Sequence, residues 1–196
     1  MFTGIIEAFG QVASLDPENE NLHITINCPF THELKIDQSV AHNGVCLTVI
    51  AIDGSCYTVT AIAETLRKSN LGLLNTNDLV NIERSMVMNG RIDGHLVQGH
   101  VDHTAVCKSV KEEGGSWLFT FEYDDYGECI TVEKGSICVN GVSLTVVDSG
   151  KNHFSVAIIP YTYEHTNFKK ITEGSVVNLE FDIIGKYVAK YLQLRS

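Results

Sequence analysis

Short stretches in which apolar and polar residues alternate recur along the whole chain. They are rich in β-branched residues, which is typical of half-buried strands. They occupy 22–26, 47–52, 57–61 and 79–83 in the first half, and 117–121, 143–147, 154–158 and 176–180 in the second. Turn dipeptides stand beside them: Asp53-Gly54, Ser149-Gly150, Asn43-Gly44 and Asn140-Gly141. The pattern predicts an all-β protein.

Three stretches depart from alternation. Short helical turns are expected near 63–71 and 161–168. From 183 to 193 the apolar residues follow helical spacing, at Ile184, Tyr187, Val188, Tyr191 and Leu192. A helix of about three turns is marginal alone, so we expect it to pack on its own body or on partner subunits.

The strand pattern occurs twice. Residues 39–49 return as 136–146 with seven of eleven positions identical, at an offset of 97 in a chain of 196. A repeat this long indicates a duplicated domain and not a solenoid unit of roughly 20–50 residues. The glycines in 85–94 mark the join, which predicts domains at 1–94 and 95–182 and a terminal helix at 183–196.

The two copies differ where chemistry is expected. Cys46 is matched by Ser143, and His42 by Val139. Residues 4–7 answer 99–102 at an offset of 95, as a loop insertion or deletion between matched strands would produce. Two like pockets with unlike side chains suit two copies of one ligand held in different roles.

Composition and charge narrow the classes of function that the chain could have. The net charge is −10 and no basic block is present, which disfavours binding to nucleic acid or an anionic membrane. No apolar run approaches the ~20 residues of a membrane span, and the first residues do not resemble a signal peptide. The six cysteines, at 28, 46, 56, 107, 129 and 138, show no zinc-type spacing. We expect free thiols in a reducing, cytoplasmic setting.

Cys46 and two histidines are the candidates for chemistry. Cys46 follows an Asn-Gly turn and is either a nucleophile or acid–base group, or a small buried apolar residue. His95 and His100 are five residues apart, which on one strand puts them on opposite faces and makes them poor joint metal ligands. A metal cluster is not supported, because no cysteine or further carboxylate completes a ligand set.

Several polar residues stand beside the turns or at the end of a strand. Ser39, Thr48, Ser143 and Thr145 suit a polar heterocycle or a sugar-alcohol chain, or they cap turns. Asp182 is either the N-cap of the terminal helix or a functional carboxylate.

Four motifs together resemble the α-type riboflavin synthases. They are Met1-Phe-Thr-Gly-Ile5, the stretch 39–48 containing Asn43-Gly44-Val45-Cys46, Gly94-His-Leu-Val-Gln-Gly-His-Val-Asp102, and Gly141-Val-Ser-Leu-Thr-Val146. They fall in the family's order, and the resemblance covers essentially the whole chain. It implies two tandem six-stranded Greek-key barrels, a C-terminal helix and a homotrimer with sites shared between subunits. The barrel closure also fits the need to remove sheet edges.

The resemblance also implies a transferase reaction. Two molecules of 6,7-dimethyl-8-ribityllumazine bind per site, and one gives a four-carbon unit to the other. The products are riboflavin and 5-amino-6-ribitylaminouracil, and the family uses no metal or redox cofactor. Two similar facing pockets suit a reaction of two identical molecules, because positioning alone can be worth an effective molarity of ~10⁵ M or more.

The family's motifs also imply the site residues. The catalytic set is Cys46, His100 and Ser39 beside the first barrel and Asp182 beside the second. His100 and Ser39 are expected to assist proton removal from the substrate's 7-methyl group, Cys46 to shuttle a proton or add transiently to the ring, and Asp182 to position the partner group. The substrate-binding set is Gly4, Ile5, Ile6, Leu47, Thr48, Thr60, Ala61, Ile62, Ala63, Glu64, Thr65, Gly99, Val101, Lys134, Ser143, Leu144, Thr145, Ile158, Ile159, Pro160, Tyr161, Thr162 and Tyr163.

Two departures from the family pattern are present. Asp93-Gly94 stands where a Gly-Gly pair is usual, and Tyr161 and Tyr163 replace a Glu and a Leu. Lumazine and flavin carrier proteins resemble the same family without catalysing turnover, and they lack the residues held here by Cys46 and His100. A metal- or redox-sensing protein is a third possibility, resting only on eight histidines and six cysteines.

Overall fold

The computed structural model describes residues 1–124 and 130–195, which form two closed six-stranded antiparallel barrels and a final helix. The first barrel contains β1 (Ala8–Glu18), β2 (Asn21–Asn27), β3 (Ser39–His42), β4 (Val45–Asp53), β5 (Cys56–Ala61) and β6 (Leu79–Arg84). The second contains β7 (His103–Glu113), β8 (Ser116–Glu122), β9 (Ser136–Val139), β10 (Val142–Ser149), β11 (His153–Ile158) and β12 (Val176–Phe181).

Both barrels close in the same Greek-key order. In the first, the strands run β1-β2-β5-β4-β3-β6, and the second repeats that order with β7 to β12. Both carry bulges at matching points, near Val12 and Cys107 and again near Val49 and Val146. All eight strands predicted from alternation are confirmed, whereas alternation did not find β1, β3, β7 and β9. The predicted duplicated barrels are therefore confirmed.

The helices are short. They are α1 (Ala63–Lys68), α2 (Pro160–His165) and α3 (Ile183–Gln193), with 3₁₀ turns at Thr31–Glu33, Asn70–Leu73 and Asn167–Lys170. The predicted helical turns and the terminal helix are confirmed. Within the described residues, no helix combines the length and apolar character needed to cross a membrane.

The two barrel interiors use different side chains at equivalent positions. Ile24, Ile26 and Leu71 fill the first interior. Phe119, Phe121 and Phe168 stand at the matching positions of the second, with the Phe119 and Phe168 rings packed edge to face at 5.1 Å. The same backbone frame thus accepts either aliphatic or aromatic packing, provided that the volume is filled.

Six buried asparagines join the barrels to each other. They form three matched pairs: Asn43 with Asn140, Asn70 with Asn167, and Asn81 with Asn178. Within each barrel, the Asn43 and Asn140 side chains accept from the backbone N–H of Asn81 and Asn178 at 2.9 and 2.8 Å. Across the interface, Asn81 Nδ2 donates to Asn167 Oδ1 at 2.9 Å, and Asn70 Nδ2 donates to Asn140 Oδ1 at 3.1 Å. The network fixes how one barrel sits on the other.

The segment that precedes each barrel lies against the other barrel. Phe2 and Val97 form an antiparallel bridge with N···O distances of 2.7 and 3.1 Å. From this bridge the segment 1–7 runs to the second barrel, where Ser143 N donates to Gly4 O at 2.7 Å. The segment 95–102 runs to the first barrel, where Cys46 N donates to Gly99 O at 2.8 Å. The expectation that His95 and His100 share a strand is wrong, because 94–102 is irregular apart from this one bridge.

The five cysteines that the structure describes are free thiols, at 28, 46, 56, 107 and 138. Cys129 lies outside the described residues. Cys138 is buried with Phe2, Ala41 and Val97 in a small apolar cluster between the barrels, and Cys46 packs against it.

A histidine is buried inside the first barrel and has no counterpart in the second. His42 is 1% exposed, and its Nε2 lies 2.8 Å from the Tyr57 hydroxyl. Burial lowers the pKa of His42 to about 4. The second barrel has Val139 and Phe154 at these positions.

This buried histidine predicts an acid-dependent loss of stability. The pKa is lower in the folded chain than the ordinary 6.5, so the unfolded chain binds the proton more tightly and stability falls as pH drops from 6.5 towards 4. The loss should reach about 2–3 kcal/mol at pH 4.5. Replacing His42→Val together with Tyr57→Phe should remove this part of the pH dependence. Urea unfolding at pH 7 and pH 4.5 measures it, and equal pH dependence in both proteins would show the assignment to be wrong.

Candidate functional site

A cavity of about 280 Å³ lies where the segment 95–102 crosses the first barrel. It brings together residues from both halves of the chain. Its lining is Val45, Cys46, Ile62, Glu64, Thr65, Lys68, Ser69, Gly99, His100 and Val101. Seven of the residues predicted from the family's motifs therefore share one cavity.

Cys46 reaches this cavity because of its place on β4. Val45, Leu47 and Val49 are buried in the barrel core. In the Asn43-Gly44 hairpin, Cys46 pairs with Ala41 of β3 and is half-buried outside the core. The Cys46 side chain packs on the apolar cluster and also lines the cavity, so its chemical role stays a prediction.

His100 is held over the same cavity by a buried carboxylate. Glu180, at the end of β12, accepts from the backbone N–H groups of Gln98, Gly99 and His100 at 2.6, 2.8 and 2.8 Å. Burial raises the pKa of Glu180 above its usual value, while these hydrogen bonds act in the opposite direction. His100 is exposed, lines the cavity and lies outside the strands.

The close crossing requires glycine. Gly99 has a φ of +81°, and a Cβ there would lie 2.6 Å from the Cβ of Cys46. Gly4 has the matching conformation, with a φ of +75° and a would-be Cβ 2.6 Å from that of Ser143. Any larger residue would push its segment off the neighbouring barrel.

The second barrel repeats this arrangement with different side chains. Glu83 accepts from Thr3 N at 2.6 Å and Gly4 N at 3.0 Å, as Glu180 does for the other segment. Ile5 occupies the position that matches His100, and Ser143 the position that matches Cys46. The first site thus carries a thiol and an imidazole where the second carries a hydroxyl and an alkyl group.

The imidazole of His95 lies beside Ser143, although His95 does not occupy the position that matches His100. Its Nδ1 lies 2.6 Å from Ser143 Oγ. Burial lowers the pKa of His95, and the nearby charge of Asp182 opposes that shift. The sequence singled out His95 only as one of two histidines in a motif, and its pairing with Ser143 was missed.

The aromatic residues that depart from the family pattern lie on α2, and each stacks on another ring. The Tyr161 ring stacks on His165 with centroids 4.1 Å apart, and the Tyr163 ring stacks on Trp117 at 3.8 Å. Repeat symmetry places Tyr161 where Glu64 lines the first cavity. Each tyrosine ring therefore already has one face covered by another ring, and Tyr163 and Trp117 also pack against the second core.

The remaining predicted residues are placed in three ways. Leu47, Ala61 and Ile158 point into the barrel cores, so only their backbone can meet a ligand. Ser39 pairs with Thr48 on the first barrel, and Thr145 pairs with Ser136 on the second. The others lie on strands, on short helices, in turns or in the segment 1–7. Thr60 Oγ1 lies 2.8 Å from His23 Nδ1, and Ile6 and Leu144 pack against the second core. Ala63 begins α1, Ile159 and Pro160 stand at the start of α2, Thr162 lies within α2, and the exposed Lys134 precedes β9.

Asp182 takes the N-cap position of α3. Its side chain accepts from Ile184 N at 2.9 Å, which leaves its second carboxylate oxygen for other interactions. Both interpretations of Asp182 are therefore compatible with its position, because it caps the helix and its charge also acts on His95.

A larger depression of about 440 Å³ lies near Thr3, Ile5 and Arg84. Its charged groups are already matched: Arg84 pairs with Glu7 and Glu33, and Arg91 with Asp93. The smaller cavity with Cys46 and His100 holds the better set of chemical groups, so size alone does not identify the site.

Comparison with known proteins agrees with the duplicated design. The family model described as the lumazine binding domain matches twice, over residues 3–85 and 98–182. Riboflavin synthase of Actinobacillus pleuropneumoniae is 40% identical over 193 residues, covering 98% of this chain and 90% of that protein. The riboflavin synthase of Bacillus subtilis is 38% identical over 193 residues with the same coverage, and that of Mycobacterium tuberculosis is 40% identical over 203 residues, covering 98% of each.

Solved structures with the same fold include LumP complexed with riboflavin, with a TM-score of 0.85 and 21% identity over 93% of this chain and 100% of that one. LumP complexed with 6,7-dimethyl-8-(1'-D-ribityl) lumazine gives a TM-score of 0.83 with 20% identity, over 93% of this chain and 99% of that one. At this identity the likeness concerns the fold. The matches to the family model and to full-length relatives establish that the chain belongs to the riboflavin synthase family of tandem lumazine-binding domains.

Proposed function

We propose that this chain is a riboflavin synthase. It converts two molecules of 6,7-dimethyl-8-ribityllumazine into riboflavin and 5-amino-6-ribitylaminouracil by moving a four-carbon unit from one to the other. The observation that carries the proposal is the meeting of Cys46 and His100, from opposite halves of the chain, in one cavity. The atoms of the two substrates account for both products, so we propose neither a metal nor a redox cofactor.

The duplicated architecture suits a reaction between two identical molecules. Each barrel offers the same backbone frame, in which a glycine carbonyl accepts from the first residues of a strand and a buried glutamate holds the crossing segment. A rigid frame of this kind can orient both rings and supply much of the rate acceleration as positioning. The unlike side chains, Cys46 with His100 and Ser143 with His95, give the two molecules different roles.

Acid–base chemistry is assigned to the side chains of the two sites. His100 and Ser39 assist removal of a proton from the acidic 7-methyl group of one lumazine. Cys46 acts as a proton shuttle or adds transiently to the ring. Asp182 positions the ligand group at the second site through the imidazole of His95. Burial lowers the pKa of His95, and the charge of Asp182 opposes that shift. The reducing conditions that keep Cys46 active favour a cytoplasmic setting, in line with the five free thiols.

The directions of the two crossing segments support a proposal on oligomeric state. The segments 1–7 and 95–102 run in opposite directions from the Phe2–Val97 bridge, so they carry Gly4 and Gly99 to opposite sides of the chain. We therefore propose that the first site of one subunit faces the second site of its neighbour, in a homotrimer with two substrates in each shared site.

The terminal helix is the element proposed to hold the trimer. Five of its apolar residues are more than half exposed, and no residue of α3 is buried. Those residues are Ile184, Tyr187, Val188, Tyr191 and Leu192. An apolar stripe of this length on a helix is the usual surface for helix–helix association.

The activity is tested directly with 6,7-dimethyl-8-ribityllumazine in a buffer containing a chelator. We expect one riboflavin to form for every two lumazines consumed, followed by absorbance and fluorescence. Cys46→Ser and His100→Gln should each lower kcat by about 10²-fold or more while lumazine binding persists. Cys56→Ser, on a half-buried cysteine of β5 outside the cavity, is the matched control and should keep the wild-type rate.

Two results would contradict parts of this proposal. Tight lumazine binding without any turnover would assign the chain to the carrier proteins. Wild-type kcat in Cys46→Ser would leave the reaction in place but remove Cys46 from it.

The hydrogen bonds of Glu180 predict a positioning effect on the first site. In Glu180→Gln one acceptor oxygen becomes an amide, so at least one N–H of residues 98–100 loses its partner. We expect kcat to fall by roughly ten-fold or more and alkylation of Cys46, followed by peptide mass, to become faster. The mirrored Glu83→Gln loosens the segment over Ser143 and should leave Cys46 alkylation unchanged. Equal alkylation rates in the two variants would contradict this division of the sites.

The exposed stripe of α3 predicts the effect of placing a charge there. Tyr187→Glu should convert the trimer to smaller species in light scattering and make the remaining activity depend on protein concentration. Lys111→Glu, an exposed charge change on β7, is the control and should stay trimeric. A trimer of unchanged mass in Tyr187→Glu would place the assembly interface elsewhere.

A further inference from the structure

The segment that carries His100 ends in an ion pair with the terminal helix. Asp102 accepts from Phe181 N at 2.9 Å, and both of its carboxylate oxygens accept from Lys186 Nζ at 2.9 Å. Asp102 N in turn donates to Leu179 O at 2.9 Å. The Asp102 and Lys186 side chains are 19% and 22% exposed, so solvent screens this pair less than an open surface pair.

The first half of the chain builds the same link without a helix. Glu7, which matches Asp102, accepts from Arg84 N at 2.7 Å, and Glu7 N donates to Ile82 O at 3.0 Å. Here the cation is the guanidinium of Arg84 itself, whose Nε lies 2.8 Å from Glu7. In the second half that position is Phe181, which carries no charge. Lys186 therefore supplies the cation that pairs with Asp102, as Arg84 does for Glu7. It does so from α3, a helix with no counterpart in the first half.

The link ties the first turns of α3 to the second barrel at Asp102. The helix buries none of its residues, and its apolar side is exposed. Its first turn is fixed by the Asp182 cap, and Lys186 N continues the helix from Asp182 O at 3.2 Å. The orientation of α3 therefore decides whether the Lys186 ammonium reaches Asp102.

We propose that Lys186 is a positioning residue that couples the docking of α3 to the placement of His100. When neighbouring subunits hold α3, Lys186 fixes Asp102, and the segment 98–102 is clamped at both ends, by Glu180 and by Lys186. When α3 is released, the segment loses one clamp and His100 moves away from the cavity. The coupling makes the first site complete only in the assembled enzyme, and it rests on the proposed function.

The test uses the full-length protein with Lys186→Met and Lys186→Arg, and with Lys108→Met as a control that removes an exposed ion pair with Glu122. In Lys186→Met we expect kcat for 6,7-dimethyl-8-ribityllumazine to fall about ten-fold, with KM within about two-fold of wild type. Amide hydrogen exchange of residues 98–100 should become faster, while light scattering still shows the assembled form. Lys186→Arg should restore most of the rate, because Arg84 forms the equivalent pair in the first half.

Wild-type kcat and wild-type exchange in Lys186→Met would overturn the proposal. Loss of assembly in Lys186→Met that Lys186→Arg does not repair would also overturn it, since the role would then be structural only. If Lys186→Met does not fold, Asp102→Asn removes the same charge while keeping an acceptor for Phe181 N, and the same changes are expected. If the wild-type chain shows no turnover, the proposed function fails, and hydrogen exchange alone decides whether the link holds the segment.

Discussion

The arrangement of the two barrels depends on six buried amide side chains. A buried asparagine that lacks partners costs free energy, so these side chains are tolerable only in the one orientation that pairs them across the interface. Asn81 illustrates this, since its side chain donates to the Asn140 carbonyl and to Asn167 of the other barrel at 2.9 Å each. A purely apolar interface would resist separation but would allow sliding. The amide network instead sets the register, and the crossing segments need that register because each is anchored in one barrel and lies over the other.

The exchange of segments explains how chemical groups from opposite halves come together. Glu180 belongs to the second barrel, yet the N–H groups that it holds carry Gly99 and His100 onto the first. Glu83 does the same in reverse. Because the frame residues are the same in both halves, the backbone geometry at the two sites is nearly equal. The difference between the sites therefore comes from a few side chains, above all Cys46 against Ser143 and His100 against Ile5.

Much of the fold could be predicted from the sequence, because strand alternation and the offset of 97 are local or internal signals. The crossing segment could not be predicted in this way. From the sequence, residues 94–102 are expected to form a strand with its histidines on opposite faces, but their backbone groups bond to Glu180, Cys46 and Phe2, which are distant in sequence. The sequence identifies Asn43 and Asn140 only as turn residues, because a turn signal is local whereas a partner across the interface is not. The matched glutamates of β6 and β12 were visible in the repeat, but nothing in a single sequence distinguishes a buried carboxylate from one at the end of an exposed strand.

The terminal helix shows how an added element can enter a duplicated frame. After duplication, matching positions in the two halves have the same interaction partners. A substitution in one half can then leave one of those partners without its counter-charge. At position 181 phenylalanine fills the barrel core but provides no cation for Asp102, whereas Arg84 provides one for Glu7. Lys186 of α3, which lies outside the repeat, provides the cation that pairs with Asp102. If neighbouring subunits hold α3, as we propose, the Asp102–Lys186 pair links the geometry of the segment 98–102 to assembly without any further change in the barrels.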